Sequence, residues 1–568
     1  MTSAPENSGP ASLHVLFQRA VEFHQRGEWE RARAAYEEVI EQQPRHSDAL
    51  HLLGVIAAQT NNPARAVELI RRAIDIDPTN YVAHGNLGAA LHGLGQLDAA
   101  LASYDRAIGL KANFAQAHLL RGNLLYELKC LDAALTSYDS AIAFNPGLAE
   151  AYSNRGNVLC EQKQITSALA SYDAAIALKP NFAEAHSNRG NVLRGLDRFD
   201  AALASYDRAI AADPACVSAY FNRGVALNQL KRPAAALLDF ERAVAIEPNF
   251  AEARFNRSLV QLLMGDFANG WREHEWRWKN RFGSNIHERR DFGAPLWLGE
   301  ESLDGASILL YGEQGFGDTL QLCRYARRVA DLGADVILEV PKPLEGLLAD
   351  LEGVSQLVSQ GSPLPPFDYH CPLMSLPLAF KTDLGTIPAP GRYLRADASK
   401  IERWRERLGR STAPRIGLMW NGNPIQPNDR NRSFRLANWI SFLPSGFQYV
   451  SLQRDVQKAD MRTLEEHSHI VNWGDELRDF SDTAALCDCM DLVISVCTSV
   501  AHLSGALGKP TWVLLAHAAD WRWLLDRSDS PWYPSAVLYR QPSRGDWPAV
   551  FRRVQRDLLE GFPMNSSG

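Results

Sequence analysis

Proline recurs at a fixed interval along the first half of this chain. The positions advance in steps of thirty-four residues, and Ala112 takes one place in a series that otherwise reads Pro44, Pro78, Pro146, Pro180, Pro214 and Pro248. A fixed period of this length is typical of helical repeats, because one unit cannot bury its apolar face alone and must stack on its neighbours. The first half of the chain is therefore predicted to be an α-helical solenoid.

Glycine and alanine recur in the same phase as the prolines. The glycines are Gly54, Gly88, Gly122, Gly156, Gly190 and Gly224, and the alanines are Ala32, Ala66, Ala100, Ala134, Ala168, Ala202 and Ala236. Small residues on two facing helices let their backbones approach closely. We expect each unit to be a tight helix pair, with aromatic residues filling the space between units: Tyr36, Tyr104, Tyr138, Tyr172, Tyr206 and Phe240.

Together these positions resemble the tetratricopeptide repeat. Units are expected to start near Leu13, Ser47, Tyr81, Ala115, Ala149, Ala183 and Val217, with a degenerate eighth unit from Ala251. The eighth unit has Ser258 in place of glycine and continues into Trp271, Trp276 and Trp278. Two interpretations of this aromatic stretch stay open: a cap that docks the array onto another domain, or a closure of the last helix pair.

The composition narrows the class of protein. The chain has 568 residues, a formal net charge of −7 and a pI near 6.1, so no basic surplus exists to neutralise nucleic-acid phosphates. There is no run of about eighteen apolar residues and no signal-peptide pattern, which predicts a cytoplasmic protein without a membrane span. Its eight cysteines lack C-x-x-C spacing, so reduced thiols are favoured and no metal is expected.

Changes of pattern divide the chain into segments. We predict a disordered tail at 1–12, the repeat array with its degenerate last unit at 13–284, a linker at 285–306, and two Rossmann-like halves at 307–410 and 411–568. In the two halves, apolar strands alternate with loops and helices, which predicts doubly wound parallel sheets. Ligands of such sheets bind at the carboxyl ends of the strands. The last predicted helix, 547–560, is expected to brace the first half.

A glycine-containing turn at 313–318 joins a predicted strand to a predicted helix. Gly315 and Gly317 leave room for a ligand to approach the backbone. The motif G-x-G-x-x-G is incomplete, so a nucleotide-binding oxidoreductase is disfavoured. Asp318 has two interpretations: it takes a proton from a hydroxyl nucleophile, or it caps the helix that begins there.

A second segment, 491–510, leads from a predicted buried strand into Thr498, Ser499 and His502. Hydroxyls and free backbone amides at the start of a helix suit a diphosphate, and the imidazole adds a further donor. The alternative is that Thr498 and Ser499 only cap the helix.

A third segment, 420–434, is a loop between a predicted strand and helix that carries Arg430 and Arg432 beside Ser433. Guanidinium groups at the carboxyl end of a strand favour phosphate oxygens, which they can bind in a fork geometry. The alternative is a solvated charged loop.

Together the three segments, within about 307–560, resemble glycosyltransferase family 9, the heptosyltransferase-like enzymes of the GT-B fold. The resemblance implies an α/β region of two Rossmann-like halves that transfers a sugar from a nucleotide-sugar donor, with inversion and without a metal or other cofactor. It implies that Asp318 is the catalytic base and that Arg432 steadies the leaving diphosphate. The family usually has aspartate where this chain has Cys497, and a thiol lacks the charge of a carboxylate, which puts donor binding and activity in question.

Asparagine recurs in the repeat region at two positions of the first helix of each unit. The sixth position holds Asn86, Asn154, Asn188, Asn222 and Asn256, and the ninth holds Asn123, Asn157 and Asn191. Stacked carboxamides present donors and acceptors that suit the backbone of an extended peptide. Joined to a GT-B region, this ladder resembles the architecture of protein O-GlcNAc transferases; the alternative is that the asparagines solvate the groove and bind neighbouring loops.

Two functions follow from these observations. The first is a glycosyltransferase whose repeats bind a protein acceptor or partner. The second is a repeat scaffold whose transferase region binds its donor without turnover, and the motive for it is Cys497. The sequence does not name the sugar, the nucleotide or the acceptor.

Overall fold

The computed structural model of the chain describes residues 10–280, 289–426 and 428–561. The chain divides into two compact units, Met1–Asn222 and Arg223–Gly568. Within the described ranges, no helix combines the length and apolarity needed to cross a bilayer.

The repeat region consists of helices joined by short turns. They are α1 (Pro10–Gln25), α2 (Trp29–Gln42), α3 (Ser47–Gln59), α4 (Pro63–Ile76), α5 (Tyr81–Gly93), α6 (Leu97–Leu110), α7 (Ala115–Glu127), α8 (Leu131–Phe144), α9 (Ala149–Glu161), α10 (Ile165–Leu178), α11 (Ala183–Gly195), α12 (Phe199–Ala212), α13 (Val217–Gln229), α14 (Pro233–Ile246), α15 (Ala251–Met264) and α16 (Phe267–His274). Every predicted unit start from Ser47 to Ala251 is confirmed, since a helix begins at each of those residues.

The N-terminal boundary differs from the prediction. Helix α1 begins at Pro10, three residues before the predicted start at Leu13, so the end of the predicted 1–12 tail is helical. Residues 1–9, on which the rest of that prediction falls, lie outside the described residues.

The periodic glycines from Gly88 to Gly224 lie against the aromatic rings of their own units, whereas Gly54 lies against Ile70. A β-carbon on Gly122 would lie 2.6 Å from Cε1 of Tyr138, and one on Gly190 would lie 2.6 Å from Cε1 of Tyr206. The two residues of each pair are on the two helices of one unit. The prediction that these rings fill the space between units is therefore wrong: each ring lies across the glycine of its own pair, which is why a side chain cannot replace the glycine hydrogen.

A ladder of arginines joins successive units in the first compact unit, and the sequence analysis missed it. Arg155 donates from Nε to Oδ1 of Asp139 in the preceding unit at 2.6 Å, and from Nη1 to the hydroxyl of Ser171 in its own unit at 2.8 Å. The same arrangement occurs at Arg121 and Arg189. Each guanidinium thus spans the boundary between two units with directional bonds.

The first α/β lobe contains a parallel sheet of order β3-β2-β1-β4. Its strands are β1 (Ser307–Tyr311), β2 (Asp335–Val340), β3 (Gln356–Ser359) and β4 (Tyr369–Pro372), and its helices are α17 (Phe316–Leu322), α18 (Tyr325–Ala330), α19 (Glu345–Leu348) and α20 (Leu376–Ala379). Part of the predicted 285–306 linker packs on this sheet, because the Trp297 side chain is buried and the backbone N–H of Trp297 donates to the carbonyl of His370 at 2.9 Å. Residues 281–288, which include the start of that predicted linker, lie outside the described residues.

The second α/β lobe contains a parallel sheet of order β10-β9-β8-β5-β6-β7. Its strands are β5 (Arg415–Met419), β6 (Gln448–Ser451), β7 (Ile470–Asn472), β8 (Leu492–Val496), β9 (Thr511–Leu515) and β10 (Ala536–Arg540). Its helices are α21 (Ala398–Leu408), α22 (Asp429–Arg432), α23 (Lys458–Glu466), α24 (Phe480–Asp488), α25 (Ser499–Ala506) and α26 (Trp547–Leu559).

The first and last helices of this lobe are not placed as the sequence analysis predicted. Helix α21, assigned to the first half, is tied to α24 of the second by an ion pair between Arg403 and Asp482 at 2.9 Å. Helix α26 packs in the core of its own lobe, where Phe551 stacks on Trp439 with ring centroids 5.9 Å apart. The prediction that the last helix braces the first half is therefore wrong: its apolar stripe is already buried on the second sheet.

The end of the repeat region packs on both lobes within the second compact unit. The indole N–H of Trp271 donates to the carbonyl of Thr382 in the first lobe at 3.0 Å, and its ring meets Trp521 of the second lobe edge to face at 5.1 Å. Arg277, fully buried, is paired with Glu313 in the turn after β1 at 3.0 Å. The docking interpretation of the aromatic stretch is thus confirmed for these contacts.

Candidate functional site

The first turns of α17 and α25 meet at the carboxyl ends of the two sheets. A β-carbon on Gly317 would lie 2.9 Å from Cδ2 of His502 and 3.6 Å from Cα of Ser499. Only glycine permits this approach, since any side chain at position 317 would displace the imidazole. The contact brings the Asp318 turn of the first lobe beside the Thr498–His502 turn of the second lobe.

Asp318 caps its own helix and is paired with a buried arginine. Its Oδ2 accepts a hydrogen bond from the backbone N–H of Gly315 at 2.9 Å, and its Oδ1 accepts one from Nη2 of Arg522. The bond from the N–H of Gly315 to Oδ2 is the one that the capping interpretation predicts. Each carboxylate oxygen keeps a further lone pair, so the side chain can still accept a hydrogen bond from a ligand hydroxyl.

Arg522 is a residue of the site that the sequence analysis missed. It is 7% exposed, and it donates to Asp520 at 2.9 Å and to the side-chain oxygen of Gln321 at 2.6 Å, in addition to its bond with Asp318. Burial acts to lower the pKa of Arg522, but the carboxylates of Asp520 and Asp318 raise it above its usual value, so the guanidinium stays charged. The signal in the sequence was Asp520-Trp521-Arg522-Trp523, a polar and aromatic run just after strand β9.

Cys497, at the end of β8, accepts a hydrogen bond from Trp523. The indole nitrogen lies 3.1 Å from the sulfur. Burial raises the pKa of the Cys497 thiol, with a further contribution from Asp520, so the sulfur is uncharged at neutral pH. The position thus offers a neutral acceptor that is already engaged.

Arg432, the last residue of α22, contacts the end of β8 and is held from two sides. Its Nη1 donates to the carbonyl of Cys497 at 2.9 Å, and its Nε donates to Asp429 at 3.1 Å. A β-carbon on Gly422 would lie 2.6 Å from Nη2 of Arg432. The hydroxyl of Ser433 closes the loop by donating to Asp429 at 2.8 Å and accepting from the N–H of Gly422 at 2.8 Å.

The other predicted arginine of this loop, Arg430, is exposed on α22. The contact that joins α22 to the end of β8 comes from Arg432. The guanidinium of Arg432 is thus placed at the end of β8.

Asp460 holds the arginine loop in place and was also missed by the sequence analysis. Its Oδ2 accepts from the indole of Trp420 at 3.0 Å and from the amide of Asn421 at 2.9 Å, and its Oδ1 accepts from the N–H of Leu436 at 3.1 Å. The side chain is 1% exposed. A buried carboxylate with three donors fixes both ends of the loop that carries Arg432.

The start of α25 leaves backbone donors open. Thr498 is the N-cap residue, but its side chain makes no capping bond and its hydroxyl lies 3.2 Å from that of Ser495. Among the described residues, no backbone or side-chain acceptor is bonded to the N–H groups of Ser499 and Val500. The simple-cap interpretation of Thr498 is therefore wrong, and the helix start presents unpaired N–H groups of the kind that bind anions.

His502 is buried and neutral. Its Nδ1 lies 2.9 Å from the hydroxyl of Tyr533, and its ring stacks on Trp523 with centroids 5.5 Å apart. Burial, reinforced by the charge of Arg522, lowers the pKa of His502 to about 3. When Tyr533 donates to Nδ1, the proton of the imidazole is on Nε2, on the edge that faces Gly317.

The asparagine ladder of the repeats links one unit to the next. The amide of Asn154 donates to Oδ1 of Asn123 at 2.8 Å, and that of Asn188 donates to Oδ1 of Asn157 at 3.1 Å. In the three units that have a ninth-position asparagine, the tyrosine also donates to it, as Tyr172 does to Asn157 at 2.7 Å. The ladder therefore has a structural role in the array, which neither interpretation of the sequence included.

The ends of the predicted ladder are arranged differently. Asn86 lies 2.8 Å from Nε2 of His51, and Asn191 accepts from Tyr206 at 2.8 Å. Asn256, in the second compact unit, donates back to the carbonyl of Glu252 in its own helix at 2.9 Å, and Asn222 is partly exposed. The inter-unit ladder is thus centred on α7, α9 and α11.

Comparison with known families agrees with the helical architecture. Models described as tetratricopeptide repeat match residues 17–81 and 187–251, and residues 57–124. A model described as TPR repeat matches residues 122–160 and 156–197. The N-terminal part of the chain is an array of tetratricopeptide repeats, a class of repeat that mediates protein interactions, and a parallel α/β region follows it.

Among curated proteins, the chain is similar to Protein FlbA of Caulobacter vibrioides, with 25% identity over 332 residues, which cover 53% of this chain and 54% of FlbA. The chain thus spans about half the length of that relative. Among solved structures it is similar to YrrB, described as a TPR protein with an unusual peptide-binding site, with 25% identity over 33% of this chain and 96% of YrrB and a TM-score of 0.28. It is also similar to PilF of Pseudomonas aeruginosa, with 20% identity over 37% of this chain and 95% of PilF and a TM-score of 0.34.

Proposed function

We propose that the second compact unit is a glycosyltransferase of the GT-B class, and that the repeats bind the protein that it modifies or assembles with. Support comes first from the contact between the first turns of α17 and α25 at Gly317. This contact brings a carboxylate, Asp318, beside a helix start with open N–H groups, which is the pairing that transfer from a nucleoside diphosphate requires.

The donor diphosphate would lie at the start of α25. The N–H groups of Ser499 and Val500 and the positive end of the helix favour an anion. Arg432 is fixed against the carbonyl of Cys497 through Nη1, and within the described part of the chain its Nη2 donates to no other group. The Nε2–H of His502 adds a neutral donor on the same side.

The reaction would be a direct displacement. The acceptor hydroxyl oxygen forms a bond to the anomeric carbon while the bond from that carbon to the diphosphate oxygen breaks. Asp318 takes the hydroxyl proton, and Arg432 and the α25 amides stabilise the charge that develops on the leaving diphosphate. Arg522 would keep Asp318 aligned, because it binds Oδ1 while the N–H of Gly315 binds Oδ2, and each oxygen keeps a lone pair for the acceptor hydroxyl.

Calorimetric titration of the full chain with UDP, GDP, ADP and CDP tests the donor site. We expect one nucleotide to bind, and Asp318→Asn to preserve that binding while abolishing transfer from the matching nucleotide sugar. Arg432→Ala is expected to weaken nucleotide binding by about tenfold. Transfer that survives in Asp318→Asn would contradict the role of the base.

A second candidate function is a scaffold without turnover. It is favoured by two observations: the thiol of Cys497 is neutral and engaged by Trp523, and Asp318 is engaged by Arg522. The variant Cys497→Asp separates the two functions. Nucleotide binding without sugar transfer in the wild type favours the scaffold, and transfer gained in Cys497→Asp would assign the loss of turnover to the thiol. Transfer by the wild type favours the transferase.

A further inference from the structure

We infer that the repeat groove contains a subsite for an extended peptide segment that carries an apolar residue next to a lysine or arginine. The inference rests on the proposed role of the repeats in holding a protein, and it specifies the chemistry of that protein. The subsite is a cavity of about 640 Å³ beside the asparagine ladder, between α9, α10 and α11. It is called the α9–α11 cavity below.

The apolar wall of the α9–α11 cavity faces solvent. Ile165, Val192 and Leu196 line it together with the ring of Tyr126. Leu196 is 45% exposed, although burial of such a side chain is favourable. A cavity of this volume is within the range that binds small ligands or a few residues of a peptide, so an apolar side chain of a partner fits this wall.

The polar edge of the cavity has hydrogen-bonding groups that the array does not use. Oδ1 of Asn157 accepts from both Tyr172 and Asn188, which occupies its two lone pairs and leaves its NH₂ group. Asn188 uses one N–H and keeps its oxygen. Within the described residues neither remaining group has a protein partner, and both asparagines line the cavity. An extended backbone alternates N–H and C=O groups and can bind this edge whatever its side chains are.

The charge at the cavity is acidic. Glu161 and Glu184 line it, and none of the lining residues is a lysine or arginine. Glu161 is partly compensated by Lys129, at 3.1 Å, and accepts from the hydroxyl of Tyr126. Glu184 is exposed and forms no ion pair in the described part of the chain. A basic side chain of the partner would therefore be favoured beside the apolar residue, and an acidic one would be repelled.

Two fluorescein-labelled ten-residue peptides test the inference on the full chain by fluorescence anisotropy. In one peptide leucine and lysine alternate with serine, and in the other glutamate replaces lysine. We expect the lysine peptide to bind at least about tenfold more tightly than the glutamate peptide at physiological salt. Equal binding of the two peptides, or no binding of the lysine peptide, overturns the inference.

Two pairs of variants place the binding in the α9–α11 cavity. Gly195 lines the cavity, and a β-carbon there meets no atom within 4 Å, so Gly195→Phe fills the space without disturbing the helix. Its control is Gly109→Phe, at a helical glycine with equally open surroundings outside the cavity. Glu184→Lys reverses the charge at the cavity, and Glu150→Lys does so at the matching position of the preceding unit.

Gly195→Phe should reduce binding of the lysine peptide by about tenfold or more, and Glu184→Lys by about threefold to tenfold. Both controls should bind like the wild type. If Glu150→Lys weakens binding as much as Glu184→Lys does, the peptide responds only to the net negative charge of the chain and the subsite is disproved. Nucleotide titration of the same proteins is an independent readout, so failure of the transferase proposal and failure of the peptide subsite give different results.

Discussion

Trp523 donates its indole N–H to the sulfur of Cys497 at 3.1 Å, and the preceding residue, Arg522, binds Asp318. One short segment after strand β9 therefore contacts both Cys497, which stands where the family usually has aspartate, and the proposed base, Asp318. The proposed base comes from the first lobe, whereas Cys497 and the segment itself come from the second. The bond between Arg522 and Asp318 thus links the two lobes at this junction, whereas the bond between Trp523 and Cys497 lies within the second lobe.

Replacing Gly422 tests how firmly Arg432 is held. In Gly422→Ala the new methyl group would meet Oδ1 of Asp429 and lie 2.6 Å from Nη2 of Arg432, so this ion pair must move and we expect the bond from Arg432 to the carbonyl of Cys497 to lengthen. We expect nucleoside diphosphate affinity to fall by about tenfold in a calorimetric titration. Arg430→Ala, on the same short helix, is the matched control. We expect it to lower nucleoside diphosphate affinity less than Arg432→Ala does. A larger loss of affinity in Arg430→Ala would contradict the role assigned to Arg432.

Removing the Asp460 carboxylate should loosen the loop that carries Arg432. Asp460→Ala leaves the buried donors of Trp420 and Asn421 without an acceptor, and each such group costs about 1–3 kcal/mol. We expect the free energy of unfolding of the second compact unit to drop by about 3 kcal/mol, and by less in Asp460→Asn, which keeps one acceptor oxygen. Urea unfolding followed by tryptophan fluorescence reports this unit, because every tryptophan except Trp29 lies after Asn222. The control is Asp475→Ala, at an exposed carboxylate, which should leave the free energy of unfolding unchanged.

His502 should make the second unit less stable in mild acid. Its pKa is about 3 in the folded chain against an ordinary value of 6.5, so below about 6.5 the unfolded chain binds a proton that the folded chain does not. Stability is therefore lost as the pH falls from about 6.5 toward 3, at up to about 1.4 kcal/mol per pH unit from this group. Urea unfolding between about pH 7.5 and pH 5 should show a steeper decline for the wild type than for His502→Gln. Parallel curves would contradict the burial of a neutral imidazole.

The close contact between Gly156 and Tyr172 predicts a stability loss in the repeats. A β-carbon at Gly156 would lie 2.7 Å from Cε1 of Tyr172, and overpacking of this kind costs about 1–3 kcal/mol. Circular dichroism during urea unfolding should therefore show a lower midpoint for Gly156→Ala. The control Gly109→Ala, in open surroundings on a helix, is expected to gain about 0.5–1 kcal/mol because alanine is the better helix former. If Gly156→Ala leaves the unfolding midpoint unchanged, the ring of Tyr172 does not lie against Gly156.

Much of the repeat region could be predicted from the sequence, because the residues that determine its packing lie close together within one unit and recur in the next. Gly122 and Tyr138 are sixteen residues apart and pack on each other, and the helix starts at Ser47, Tyr81 and Ala115 follow from the same period. The direction of the ring packing could not be read, because a periodic tyrosine fits either the inside of a unit or the gap between two units.

The sequence by itself determined the repeat array, the alternation of strands and helices, and which strand ends carry Asp318, Arg432 and Thr498. The tertiary structure alone decided what these residues touch. Asp318 and Arg522 are 204 residues apart, and Asp460 reaches back 40 residues to Trp420. Such contacts leave no local pattern, because they depend on which strand ends the sheets bring together and on the packing of glycines such as Gly317 against another helix.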